Sequence, residues 1–426
     1  MKPQVAHSPL VAGPAPLWAL FLFTFLNSVG TGVAQNGIFF VIDRVYGSTR
    51  TANYTLGLLL GVTYIVGAMG AQPLVRGLMR LAGLSERGVL ALLMIVMGVL
   101  CQVTWLAPAL GASGVWPIWL MVLLYSPLSG VLWPIVESFV SGGRSGEGLR
   151  RTMGTWNVVW SSATVGAYFA MGPLLASVEL AGKIVPLLGL VHVAGVIVLW
   201  KLPASPGEHL SEQHAPHPPV FEKLLTTFRV LLPVSYVVST ALGPYLPGAL
   251  NGLGVAPVWM TPIAAGWLIA RVGTFWWMGK SAGWHGRWSP AIVGGVALVG
   301  GFAVCVMSPR LVGVLGTTGA TGALFAGLLL FGTGMAVIYT AAIYYALEVG
   351  KAEVDAGGKH EALIGIGYTI GPGVGLAASL GVDRGAVAPG LFEPLVLGGV
   401  GLIAVGAVGA VAWRIGHARR AAKSAR

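Results

Sequence analysis

Residues 203–223 read PASPGEHLSEQHAPHPPVFEK, and the way this stretch divides the chain decides the fold. Prolines and polar residues crowd it without a helical or strand period, as in a flexible linker. Its histidines, His209, His214 and His217, are irregularly spaced, which marks solvated linker rather than a metal site. On either side the chain is strongly apolar. Charged residues make up 9% of the 426, against about a quarter in soluble proteins, while 55% are hydrophobic and mean hydropathy is +0.80. A soluble globule could not cover that much apolar surface.

The apolar residues come in long runs without strict alternation, so the chain reads as helical and not as an outer-membrane barrel. The first run, 17–42, exceeds a signal-peptide core and lacks a small-x-small cleavage site, so it is expected to stay as a span. Cys101 and Cys305 both fall inside apolar runs, which argues against disulfides and cysteine metal sites. At about 20 residues per crossing, twelve spans are predicted near 17–42, 53–73, 88–108, 115–140, 152–177 and 184–200, then 224–248, 256–279, 290–308, 320–347, 362–381 and 391–415. The expected architecture is an all-α polytopic membrane protein: a six-helix half over 1–202, the linker, and a second half over 224–426 with a basic tail.

An even number of spans puts both termini on one face. That face carries eighteen basic residues and the other five, Arg44, Arg50, Lys183, Arg310 and Arg384. The positive-inside rule makes the termini cytoplasmic, in a cytoplasmic (inner) membrane. The net charge of +11 is then a topological signal and a solvated tail, with no nucleic-acid partner implied.

The halves echo one another. VLWPIVESF (131–139) and AAIYYALEV (341–349) place Glu137 and Glu348 at the ends of the fourth and tenth spans, each seventeen residues before a glycine, Gly154 or Gly365. MRLAGLSER (79–87) and GKSAGWHGR (279–287) share Gly83/Gly283 and Arg87/Arg287. Such matches fit parallel repeats.

With six plus six spans, a central linker and basic loops after the second and eighth, the chain resembles the major facilitator superfamily along essentially its whole length. NSVGTGVAQNGIFF (27–40) and GGKHEALIGIGYTIGPG (357–373) are similar to stretches of bacterial members. The family's loop signature also contains an aspartate, which is missing from 73–88 and 279–289. The resemblance implies a central cavity lined by the first, fourth, seventh and tenth helices. On those spans, polar residues recur at helical spacing: Asn27, Thr31 and Gln35; Ser126, Ser129, Trp133 and Glu137; Tyr236 and Thr240; Thr333, Thr340, Tyr344 and Glu348. Asn27, Thr31, Gln35, Ser129, Trp133, Tyr236, Thr240, Thr340 and Tyr344 are the candidate solute contacts; interhelical hydrogen bonding is the alternative.

Glu137 and Glu348 admit two readings, as proton carriers or as latches between the halves. The latch partners would be Arg76, Arg80 or Arg87 for the first, and Lys280 or Arg287 for the second. Asp43 is expected to pair with Arg44 or Arg50, and His192 to be a packing residue. Arg271, in GWLIARVGTFWWMGK (266–280), lies nine residues before Lys280, about 13 Å from the helix end at 1.5 Å per residue. That exceeds the reach of snorkelling, so it faces the bundle and either pairs with a carboxylate or attracts an anionic solute group. Trp133, Trp156, Trp160 and Trp267 lie deep, whereas Trp18, Trp116, Trp119, Trp259, Trp276, Trp277 and Trp413 fall near span ends.

H-E-x-x-H, H-x-x-x-H and G-x-x-x-x-G-K-[ST] patterns are all missing, which argues against a zinc enzyme or an ATP-driven pump. The expectation is a secondary transporter of a small organic solute working by alternating access, proton-coupled, monomeric, with no cofactor or metal. A sensor or scaffold that keeps the fold without transport is the alternative.

Overall fold

The computed structural model describes residues 13–111, 113–207, 218–349 and 354–424. The linker histidines His209, His214 and His217 lie outside the described residues. Among those described there is no β-strand. Twelve main helices follow in order: α1 (Leu17–Tyr46), α2 (Arg50–Ala82), α3 (Glu86–Ala109), α4 (Trp116–Ser141), α5 (Gly146–Leu174), α6 (Ile184–Leu199), α7 (Val220–Gly252), α8 (Pro257–Ala264 continuing as Gly266–Lys280), α9 (Ser289–Met307), α10 (Val312–Val349), α11 (Val354–Asp383) and α12 (Phe392–Ser424). Among the described residues nine helical stretches are long and apolar enough to cross a membrane, one of them covering both α9 and α10.

Local chemistry sets the helix ends. Thr49 and Ser85, in extended backbone, accept from the N–H groups of Ala52 and Gly88 at 3.2 Å each and so cap α2 and α3. Gly83 ends α2 at φ +63°, a left-handed conformation that suits glycine. The matching loop after α8 takes its left-handed residue at Gly286, not at Gly283. The tenth span starts earlier than the sequence indicates: α10 is helical from Val312, with a break at Gly316.

The two halves meet mainly along α2 against α11 and α5 against α8. Small residues permit that closeness: a methyl group on Gly61 would overlap the Tyr368 carbonyl. Large apolar side chains such as Leu402, Val405 and Val408 of α12 are exposed, as on a surface wetted by lipid. Trp18, Trp116, Trp259, Trp276, Trp277 and Trp413 are exposed near helix ends, and Trp119 is half-buried. The chain is a multi-pass helical membrane protein.

Candidate functional site

The cavity lies between the halves, and its shape begins with α1. Thr31–Gly37 winds as a π-helix, a form common at functional sites. The wider turn lets Asn36 donate to the Thr31 carbonyl at 2.8 Å and brings Thr31, Gln35 and Asn36 onto one wall. Gln35 also donates to the Ser129 hydroxyl of α4 at 2.8 Å, which fixes its amide against the neighbouring helix. Asn27 is buried one turn before this wall and does not line the cavity. The π-turn therefore replaces the expected Asn27–Thr31–Gln35 row by a shorter set that includes Asn36.

The remaining walls are aromatic. Trp133, Trp156 and Trp160 form a run of ring contacts, with centroids 6.0 and 6.5 Å apart, and Trp160 continues to Tyr339 at 5.8 Å. Facing them, Tyr236, Tyr368 and Tyr64 form a second run at 5.4 and 5.3 Å. About 550 Å³ of atom-free space lies between these walls, part of it continuous with outside solvent. A smaller adjoining pocket shares Gln35, Asn36, Tyr64, Ser239 and Tyr368 and is also lined by Thr240, whose hydroxyl donates to the carbonyls of Tyr236 and Gly367.

Arg271 is 4% exposed. Its guanidinium carbon sits 4.3 Å from the ring centre of Trp160 and 4.7 Å from that of Trp267, a cation–π clamp joining the halves. Nε–H donates to the Ser161 hydroxyl at 2.9 Å, and Nη2 reaches the Thr164 hydroxyl at 3.4 Å. Among the described residues no carboxylate pairs with it. Of the two readings of Arg271, pairing with a protein carboxylate is thereby excluded among described residues.

Where α4, α2 and α11 meet, Glu137, His360 and Glu361 bring ligating atoms within 4.8 Å of one another. Tyr64 O–H donates to Glu361 Oε2. The carboxyl groups of Glu137 and Glu361 are hydrogen-bonded to each other. Two carboxylates in contact cannot both stay ionised, so such a pair shares a proton.

Several expectations need correction. Glu137 does not latch to Arg76, Arg80 or Arg87: its carboxyl turns inward to Glu361. Arg87 instead donates to the Leu202 carbonyl at 2.7 Å and lies over Trp200, so it ties α3 to the end of its own half. Glu348 does cross to the other half, but its partner is Arg150 at 2.7 Å, while Lys280 lies over Trp276 and Arg287 sits in the α8–α9 loop. Thr340 and Tyr344 are not on the cavity wall: the Thr340 hydroxyl is buried without a partner among the described residues, and Tyr344 stacks on His285 at 4.1 Å. The face of α10 that does reach the cavity carries Met335 and Tyr339, one position round the helix from Thr340. Ser129 stands behind the wall, whereas Trp133 and Tyr236 line it. Asp43 accepts from Asn251 at 2.7 Å across the halves, and Arg44 donates to the Leu175 and Ala176 carbonyls. His192 is fully buried and bonded to Tyr125 at 2.9 Å.

Sequence reading missed Glu361, His360, Tyr64, Asn36, Tyr339 and Tyr368. For Glu361 the signal was a carboxylate at the margin of an apolar run. The predicted eleventh span began at 362, one residue past Glu361 and eight after α11 starts at Val354.

No protein-family model matches the sequence, and no curated protein matches it. Solved structures do. A variant of the nucleoside transporter NupG superposes with TM-score 0.62 at 13% identity, over 92% of this chain and 99% of that one. A bacterial homologue of the human lysosomal transporter Spinster, inward-facing and unoccupied, gives 0.57 at 15% over 92% and 93%. The E. coli fucose:proton symporter FucP gives 0.51 at 15% over 92% and 97%. Twelve helices in two halves, joined along α2–α11 and α5–α8 around a central cavity, give this chain the fold of the major facilitator transporters.

Proposed function

We propose that the chain is a secondary transporter that moves a small organic solute across the cytoplasmic membrane by alternating access, with both termini in the cytoplasm. The observation that carries this reading is a cavity at the seam of the halves with separate ties on either side. On the face opposite the termini, Asp43 meets Asn251 and Thr51 meets Asp383 at 2.5 Å; on the termini face, Arg150 meets Glu348. Breaking one set while keeping the other opens the cavity to one side only. The fold shared with a nucleoside transporter and a fucose:proton symporter supports the same reading.

Coupling to protons is assigned to the Glu137–Glu361 pair, with Tyr64 holding Glu361 in place. The test uses liposomes containing the purified protein and an internal pH dye, challenged in turn with a panel of small metabolites. At least one solute is expected to enter together with protons. Glu361→Gln is expected to abolish the pH transient while preserving solute-for-solute exchange, because exchange needs the cavity but not proton release. A transient of undiminished size in that variant would remove Glu361 from coupling, and a panel without any flux would remove the transporter reading.

A further inference from the structure

We infer that the solute is a flat aromatic monoanion that enters with one proton, so that the cavity is electrically neutral both empty and loaded. The inference rests on the transporter reading and adds the chemistry of its cargo.

The first argument is charge. Arg271 offers five N–H donors, and the protein occupies Nε–H with Ser161 and reaches Nη2 from Thr164. Among the described residues Nη1 has no protein partner, and Arg271 lines the cavity. A buried cation without a counter-charge is costly, and the end of the fork, Nη1 with the second N–H of Nη2, matches a carboxylate approached end-on. The second argument is shape. Aromatic side chains are 9% of the whole chain but eight of the sixteen residues lining the cavity. They stand in two runs, one through Trp156 and Trp160 and one through Tyr236 and Tyr368. Such a slot suits a ring better than a flexible chain.

Proton balance supplies the third. Glu137 and Glu361, bonded to each other, hold one proton and one negative charge, which offsets Arg271 when the cavity is empty. An arriving anion pairs with Arg271 and takes over that role. One further proton from the same side then neutralises the carboxyl pair, and it leaves with the solute on the other side. The groups facing the pair are Tyr64 of α2, Tyr236 of α7, Tyr339 of α10, and His360 and Tyr368 of α11. Among the described residues the buried His360 Nε2 has no partner, so an added proton there would find no acceptor among them. A phenol ordinarily titrates only near pH 10, which leaves the carboxyl pair as the group that changes charge.

The test uses the intact purified protein with indole-3-acetate, its neutral amide, hexanoate and glucose as probes. Indole-3-acetate is expected to bind at least tenfold more tightly than the amide, hexanoate or glucose. Arg271→Gln should reduce the carboxylate-over-amide preference to less than about twofold. Arg271→Lys, which keeps the charge but not the fork, should retain an intermediate preference and report on folding. In liposomes, uptake of indole-3-acetate should follow the pH gradient and carry no current when the membrane potential is varied. Equal binding of the amide, of hexanoate or of glucose, no binding by any probe, a preference that survives Arg271→Gln, or uptake that carries current would overturn the proposal. Uptake of a neutral solute with protons would overturn it and leave the transporter reading standing. Tight, Arg271-dependent binding without flux would keep the anion site and remove the transporter reading.

Discussion

Arg271 shows at the level of a single residue why a charge in an apolar helix points to function. Placing arginine at mid-span costs about 3 kcal/mol or more, and here two indoles and two hydroxyls offset part of that cost without a carboxylate. Glycine gives a second example. Gly61 faces the Tyr368 carbonyl across the halves, whereas Gly70 on the same helix has open space where a side chain would go. Gly61→Ala must therefore separate α2 from α11, and we expect a loss of about 1–3 kcal/mol, read as a lower melting temperature of the purified protein. Gly70→Ala should melt like the parent. Equal melting of the two variants would show that the seam has slack which the contact distances deny.

Within an element, one turn of the wrong pitch rearranges which side chains meet. The α1 register used to predict a polar row assumes 3.6 residues per turn, and the π-turn at Thr31–Gly37 breaks it. Asn36 stabilises that turn by closing onto the Thr31 carbonyl. Asn36→Ala removes a hydrogen bond with a net value of about 0.5–1.5 kcal/mol. We expect a modest fall in melting temperature but a much larger loss of solute affinity, at least tenfold, because Gln35 and Thr31 lose their common wall. Affinity unchanged within twofold would make the turn a packing feature only. The same logic covers α10, where polar spacing picked Thr340 and Tyr344 while the adjacent face carries Met335 and Tyr339 to the cavity.

At the scale of the whole molecule, few polar contacts tie the halves on each face, which suits bodies that must separate. Arg150–Glu348 is partly exposed, with side-chain exposures of 44% and 19%, so its worth to overall stability is small, about 0–1 kcal/mol. Its effect on the balance between conformations is a separate quantity. Glu348→Gln should leave the melting temperature nearly unchanged yet raise labelling of a cysteine placed on the termini side of the cavity. Exchanging the two charges, Arg150→Glu with Glu348→Arg, should restore protection. If the exchange fails to restore it, the pair is a surface contact without gating value.

The sequence by itself determined the solvent, the number of crossings and the pairing of halves. Hydropathy, basic-loop asymmetry and the 203–223 linker are summed over many residues, and errors of a residue or two at a boundary do not alter them. It also placed Arg271 inside the bundle, because a charge at that depth is too costly to leave facing lipid. Only the tertiary structure decided which side chains share the cavity. Glu137 met Glu361 and not an arginine, Glu348 met Arg150, and Asn36 joined Gln35 through a π-turn. Such partnerships depend on rotations of about 100° per residue and on contacts between residues hundreds of positions apart, which one-dimensional spacing does not encode.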